Sequence, residues 1–550
     1  DYEGERFDFP STSSLITVFT AKERTGDVSE LVAAGKNIVD PLTGQPFQNN
    51  VIPKGRLSTA ALAILNSKYY PTPINGLIQG NAYNTTAIVT DNDQGDGRID
   101  YAASDKDHFM GRFSYSHMTN PTINSFALDY NPFNVVSTWN FVTGYTRTIS
   151  SSMVNDARLG VNYVQVGQNH TTSNFSGNAG SLFSIPGLTT SFLPAMSFSG
   201  GYVSGFGTKV SVTDNYDTSI QYSDVLKFLH GQHDTRFGFQ GWRIRTNGLF
   251  NGSNGQAGTF GFGSIYSGSP ESNFLLGLPT SVGAGNLGSE WGQRNNVFAG
   301  FVQDDWKVNE RLTFNLGLRY ETHTPFVEAN NKQVNWDPQT GNFELPNQNG
   351  NNRALYNSYN GYGNYQPRVG VAYQLTANTT VRASYGLSSF MEGTGLGLRL
   401  PGNPPRPIAA SANYSTLAYP TTTLDQGFTP ISEPAGCTIA GLESPEPICY
   451  KGAIIYSWDK KVQPAHSNQW SLFVQHEFSP SAIAQVGYVG QSTTHLTNAE
   501  LLTQRVWDSP GVVSPSPFFA NNRAVIDQVT YIFGTFAEAH QNYNALQAQM

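Results

Sequence analysis

Along much of this chain apolar and polar residues alternate one by one. From Leu312 the sequence reads Leu-Thr-Phe-Asn-Leu-Gly-Leu-Arg-Tyr-Glu, so Leu312, Phe314, Leu316, Leu318 and Tyr320 share one side. Thr313, Asn315, Gly317, Arg319 and Glu321 share the other. A period of two marks a β-strand whose faces meet different surroundings. The design recurs in "RIDYAASDKDHFMGRFSYS", where Phe109, Gly111, Phe113 and Tyr115 oppose Met110, Arg112, Ser114 and Ser116 across a turn at 104–107. Further segments turn near 150–152, 230–234, 376–379 and 479–481. Each predicts a β-hairpin with a short turn and arms of about ten residues.

Between the hairpins run long Gly/Asn/Ser/Pro stretches, at 168–212, 247–294, 323–362 and 391–465. Structureless loops beyond about 15 residues are uncommon in compact domains. Here they alternate with the short turns, so every hairpin is tight at one end and open at the other. Ten extended residues span about 33 Å. Tilted, they rise about 25 Å, the height of the apolar band of an outer-membrane barrel. The pattern therefore predicts an all-β fold, an antiparallel transmembrane β-barrel with short periplasmic turns and long extracellular loops. Roughly a dozen strands are readable, and closure would remove exposed sheet edges.

Composition fits this picture. Charged residues are 13% of the 550, about half the usual share, while aromatics reach 13% and Gly numbers 55. Gly, Asn, Ser and Thr disfavour helices. The net charge of −8 and the lack of a basic run speak against a nucleic-acid partner. Two cysteines do not make a disulfide scaffold. Cys437 and Cys449 lie close together, and a local loop disulfide in an oxidising compartment or two free thiols both fit their spacing. No apolar run reaches the roughly 18 residues of a membrane helix.

The segment "VFAGFVQDDWKVNERLTFNLGLRYETHTP" resembles the Oar-like β-barrel of TonB-dependent outer-membrane transporters. "TVFTAKERTGDVSE", "DPLTGQPFQNNVIPKGRLS", "YYPTPI", "FLHGQHDTRFGF", "SNFLLGLP", "YQPRVGVAYQL", "VRASYG", "QWSLFVQHEF", "VGYVG" and "NYNALQAQM" follow the family order. The resemblance implies a barrel of about 22 strands in the intact parent, filled by an N-terminal plug, in the outer membrane of a Gram-negative-type bacterium. It further implies that residues 1–550 are a partial barrel domain, with the plug and terminal strands outside it. Residues 1–97 would be the family's preface after a first strand, and 98–550 successive hairpins. Energy would come from the TonB complex through a missing N-terminal segment; outer-membrane lipid and a small-molecule, glycan or peptide solute would be the other partners.

Candidate residues follow from facing. Leu312, Phe314, Leu316 and Leu318 are expected to meet lipid. Trp306, Tyr320, Tyr115, Tyr163 and Trp470, at or near strand ends, are candidates for an aromatic girdle. Arg98, Asp100, Arg112, Arg158, Asn315 and Arg319 fall on the polar side and would line the lumen, touching plug or solute or simply walling a wet interior. Asp91, Asp93, Asp96 and Asp100 suggest calcium, but starting from Asp91 the sixth position is Asp96 and the twelfth Ala102, so an EF-hand register fails. His230 and His233 lack further zinc ligands in their motif. No catalytic residue, metal or cofactor is expected. A passive porin or sugar channel is the first alternative function. A secreted all-β binding or adhesion protein is the second, and it predicts a regular repeat that the uneven turn spacing lacks.

Overall fold

The alternating segments pair, each with the next, into one large sheet in the computed structural model. The structure describes residues 1–9, 14–33, 35–84, 88–121, 130–173, 175–250, 254–285, 289–390, 400–403, 411–414, 418–428, 454–503, 506–509, 512–514, 529 and 531–550. The long strands are β1 (Tyr2–Phe9), β2 (Ile88–Ala102), β3 (Asp107–Pro121), β4 (Tyr130–Ser150), β5 (Met153–Ser173), β6 (Thr213–His230) and β7 (His233–Phe250). They continue as β8 (Ser289–Asn309), β9 (Leu312–His323), β10 (Tyr365–Thr376), β11 (Thr379–Phe390), β12 (Ala465–Ser479), β13 (Ala482–Leu501) and β14 (Tyr531–Gln549). Every neighbouring pair is antiparallel, and sheet order equals chain order. Among the described residues β1 pairs only with β2, while the short strand Ile454–Trp458 runs parallel to the start of β14.

The turns fall where the alternation breaks. Between β8 and β9, Asn309 Oδ1 accepts the N–H groups of Arg311 and Leu312 at 2.9 and 3.0 Å, a side-chain substitute for the next ladder bond. Between β6 and β7, Gly231 adopts φ +58°, a conformation costly for a residue with a Cβ. Arms are longer than the expected ten residues: β4, β5 and β8 have 21 each. Backbone pairing needs no lipid, so the strands continue past the bilayer. The 97/98 boundary drawn from the sequence lies inside β2, which is one uninterrupted strand.

Register places the two faces in continuous rows. On one, Leu316 is opposite Val369, Val369 opposite Tyr385, and Tyr385 opposite Trp470. On the other, Asn315 is opposite Gly370, Gly370 opposite Ser384, and Ser384 opposite Ser471. The first face leaves large apolar side chains bare, among them Phe237, Leu318, Leu472 and Leu546. An apolar face this extensive is not tolerated in water and marks a surface made for lipid.

The long excursions are not structureless. Residues of the first (Phe19, Leu31, Ile64), third (Phe183, Phe206), fourth (Phe260, Phe274) and sixth (Leu424, Phe428) share one buried apolar cluster at the excursion end of the sheet. The "SNFLLGLP" segment sits here, with Phe274, Leu275, Leu276 and Leu278 all buried. Phe274 is 5.2 Å from the ring centroids of both Phe19 and Phe262. Burying each such ring contributes about 1.5–3 kcal/mol, enough in sum to hold Gly- and Ser-rich chain in a fixed shape. The helix Thr59–Leu65 starts at Ser58, whose hydroxyl accepts from Ala61 N at 3.1 Å. Asp425, from a distant excursion, accepts from Ser58 Oγ and Ala60 N, each at 2.9 Å. Sequence motifs in 18–82 thus encode a packed cap rather than barrel wall.

Candidate functional site

Side chains on the polar face pair locally, either at i and i+2 of one strand or across to the neighbouring strand, because both arrangements put them on the same side. Arg98 Nε lies 2.7 Å from Asp100 Oδ2, Arg112 Nη2 2.7 Å from Asp96 Oδ1, and Arg158 Nε 2.7 Å from Asp156 Oδ1. Asn315 Nδ2 donates to Asp305 Oδ1 at 2.6 Å. All six proposed lumen residues therefore share the polar face. The four acidic residues weighed for calcium are split by parity: Asp96 and Asp100 take this face, whereas Asp93 lies on the other and binds Arg6 at 2.7 Å. Among the described residues no cluster of His, Cys, Asp and Glu is arranged to hold a metal. Cys437 and Cys449 lie outside the described residues.

The wall is most elaborate where the middle of β7 and β8 meets the upper parts of β9 and β10. Arg319 donates through Nε to Glu321 Oε2 at 2.9 Å and through Nη1 to Gln240 Oε1 at 2.9 Å. Its guanidinium carbon stands 5.8 Å from the centre of the Trp242 ring. His323 Nε2 lies 3.0 Å from Glu321 Oε1. The Arg319 and Glu321 side chains are only 16% and 13% exposed, so each charge depends on the other. These groups border a groove of about 690 Å³ that also meets Gln303, Gln366 and Arg368. A second groove of about 690 Å³ shares Gln303 and Arg368 and continues past Asn315, Ser384 and Ser471. Amides, hydroxyls and guanidinium groups in this density can hold oxygen-rich surfaces through several hydrogen bonds at once.

Gln240, Trp242, Gln303 and Arg368 were not singled out from the sequence. Parity could have found them, since Arg236, Gly238, Gln240 and Trp242 alternate with outward Phe237 and Phe239. A tryptophan on the polar side broke the simple rule that aromatics face lipid.

The five proposed girdle residues occupy the lipid side. Trp306 stacks on His233 with ring centroids 5.4 Å apart, near the short turns. Tyr320 meets Tyr365 at 5.0 Å towards the excursion end. Tyr163 stacks on Trp139 at 5.6 Å. Tyr115 and Tyr163 are mid-strand rather than terminal, because β3 and β5 extend beyond the apolar band.

These features define a membrane β-barrel wall. A family model described as "Outer membrane beta barrel domain" matches residues 1–550, and the chain belongs to that family. It is an outer-membrane protein, so the short turns are periplasmic and the excursions extracellular. No curated protein is significantly similar to it. Among solved structures it is similar to the outer membrane transporter YddB from Escherichia coli, with 9% identity, TM-score 0.46, and 86% of this chain and 46% of that one covered. It is also similar to a ferric enterobactin receptor mutant (PfeA) from Pseudomonas aeruginosa, with 8% identity, TM-score 0.40, and coverages of 84% and 49%. The alcaligin outer membrane receptor FauA from Bordetella pertussis gives 9% identity, TM-score 0.37, and coverages of 87% and 54%. The chain spans about half the length of these structures.

Proposed function

We propose that this chain is the barrel wall of a TonB-dependent transporter that moves a solute across the outer membrane with energy supplied through TonB. The observation that carries this reading is the pairing of a wide hydrogen-bonding inner wall with a packed extracellular cap built from four excursions. The ordered motifs of the Oar-like family support it. Solute would bind at the cap and upper wall, with a separate plug domain of the parent protein filling the lumen. No bond chemistry is involved, and the inner-wall pairs serve as positioned donors and acceptors.

Planar-bilayer conductance of the full-length gene product tests the reading against a passive porin. A plugged transporter shows no steady open-pore current and co-purifies with the periplasmic domain of TonB. A steady ohmic conductance without TonB binding would favour the porin.

A further inference from the structure

Above the apolar band the lipid-side face changes character on two adjacent strands. Trp242 and Ile244 line the inner groove, so Arg243 and Arg245, which alternate with them, point outward. Arg245 is directly opposite Arg294 of β8, and Arg243 is opposite Asn296. Like charges directly opposed across a ladder repel. Among the described residues no carboxylate forms an ion pair with any of the three. Arg243 Nη1 donates to Asn296 Oδ1 at 3.0 Å, and Arg294 Nη1 donates to the Gln293 carbonyl at 2.8 Å. Both Arg243 and Arg245 lie within electrostatic reach of Arg294.

Nearby acids relieve the repulsion only in part: Glu328 attracts Arg294 without forming an ion pair with it. The Glu328 carboxylate, on the inner side, accepts N–H groups from Gly292, Asn330 and Lys332. Glu290 shares the outer face but lies four residues further along β8, opposite Leu249. Asp214, also opposite Leu249, is bonded to His170 at 2.7 Å.

Height identifies what this face meets. Arg243 is ten residues beyond His233 at the periplasmic turn. That is about 33 Å of strand and about 25 Å of rise, the full apolar band. The exposed large apolar side chains at outward positions of β7 and β8 (Phe237, Phe239, Val302, Phe298) lie below the arginines, and Leu249 above them is half-buried. Guanidinium groups match phosphate oxygens with paired N–H donors.

We infer that Arg243, Arg245 and Arg294 form an outer-wall site for the phosphate groups of an outer-leaflet lipid. Bridging phosphates would offset most of the charge of three repelling cations and fix the height and rotation of the barrel. The inference rests on membrane orientation and is independent of the transport reading.

Native mass spectrometry of the detergent-purified protein tests it, with diphosphoryl lipid A, the same lipid stripped of both phosphates, and sodium phosphate as probes. The wild type should retain the diphosphoryl lipid at least about tenfold better than the stripped one, the scale of lost charge-assisted bonds. Arg245→Gln/Arg294→Gln should erase that preference, and Arg245→Lys/Arg294→Lys should keep most of it. In lipid-free detergent Arg294→Gln alone should raise the melting temperature, since it removes the opposed pair. Equal retention by wild type and the glutamine variant, equal retention of the stripped lipid, or displacement by equimolar sodium phosphate would overturn the inference.

Discussion

Arg319 and Glu321 stand two residues apart on the inner face of β9, with Nε 2.9 Å from Oε2, and each is largely shielded from water. The charges on the polar side of this strand are therefore partners. Removing one strands the other. Arg319→Gln or Glu321→Gln should each cost about 1–3 kcal/mol. The double variant should cost less than the sum of the two, as measured by urea unfolding from lipid vesicles.

Leu316 and Asn315 are adjacent yet meet opposite environments. Leu316→Arg places a cation in the apolar band and should cost about 2–4 kcal/mol. Asn315→Arg enters a wet wall beside Asp305 and should be nearly neutral. A refolding titration into vesicles compares them; equal costs would refute the facing assignment.

The extracellular cap contains a carboxylate out of water. Burial raises the Glu23 pKa from 4.5 to about 7, with Glu271 and Glu30 adding repulsion, while the Tyr202 hydroxyl and Thr20 N–H donate to the charged form. The folded cap thus holds a proton that an unfolded excursion releases between these values. Stability from this group is full below pH 4.5, declines as pH rises, and is gone above about pH 7. Hydrogen exchange across residues 17–31, corrected for intrinsic rates, should be faster at pH 8 than at pH 5.5. Glu23→Gln should flatten the difference.

Asp425 reaches from a distant excursion to the start of the helix Thr59–Leu65. Asp425→Ala should cost about 1–2 kcal/mol of cap stability, the range for a lost N-cap. Exchange should rise across the helix and stay unchanged in β9. Equal protection in both proteins would show that the apolar core alone sets the helix.

Much of the wall was legible because a period of two has one physical meaning. Leu316 and Asn315 were assigned to faces from parity alone, and the turns at 376–379 and 479–481 were placed to within a residue by the break in alternation. The cap was not legible. Phe19, Ile64 and Phe274 are far apart in sequence and follow no period, and their meeting depends on four excursions folding together. Trp242 was missed for another reason: its parity is that of the polar face, but an aromatic ring reads as lipid-facing until register places it over Arg319.

Lipid contact at residue 316 is the most direct test. In a background with Cys437 and Cys449 replaced by serine, Leu316→Cys and Asn315→Cys would carry a fluorescent label in reconstituted vesicles. The 316 label should be quenched by brominated lipid and shielded from aqueous iodide, with the reverse at 315. Iodide quenching both labels equally, with no response to brominated lipid, would mean that this face never meets a membrane.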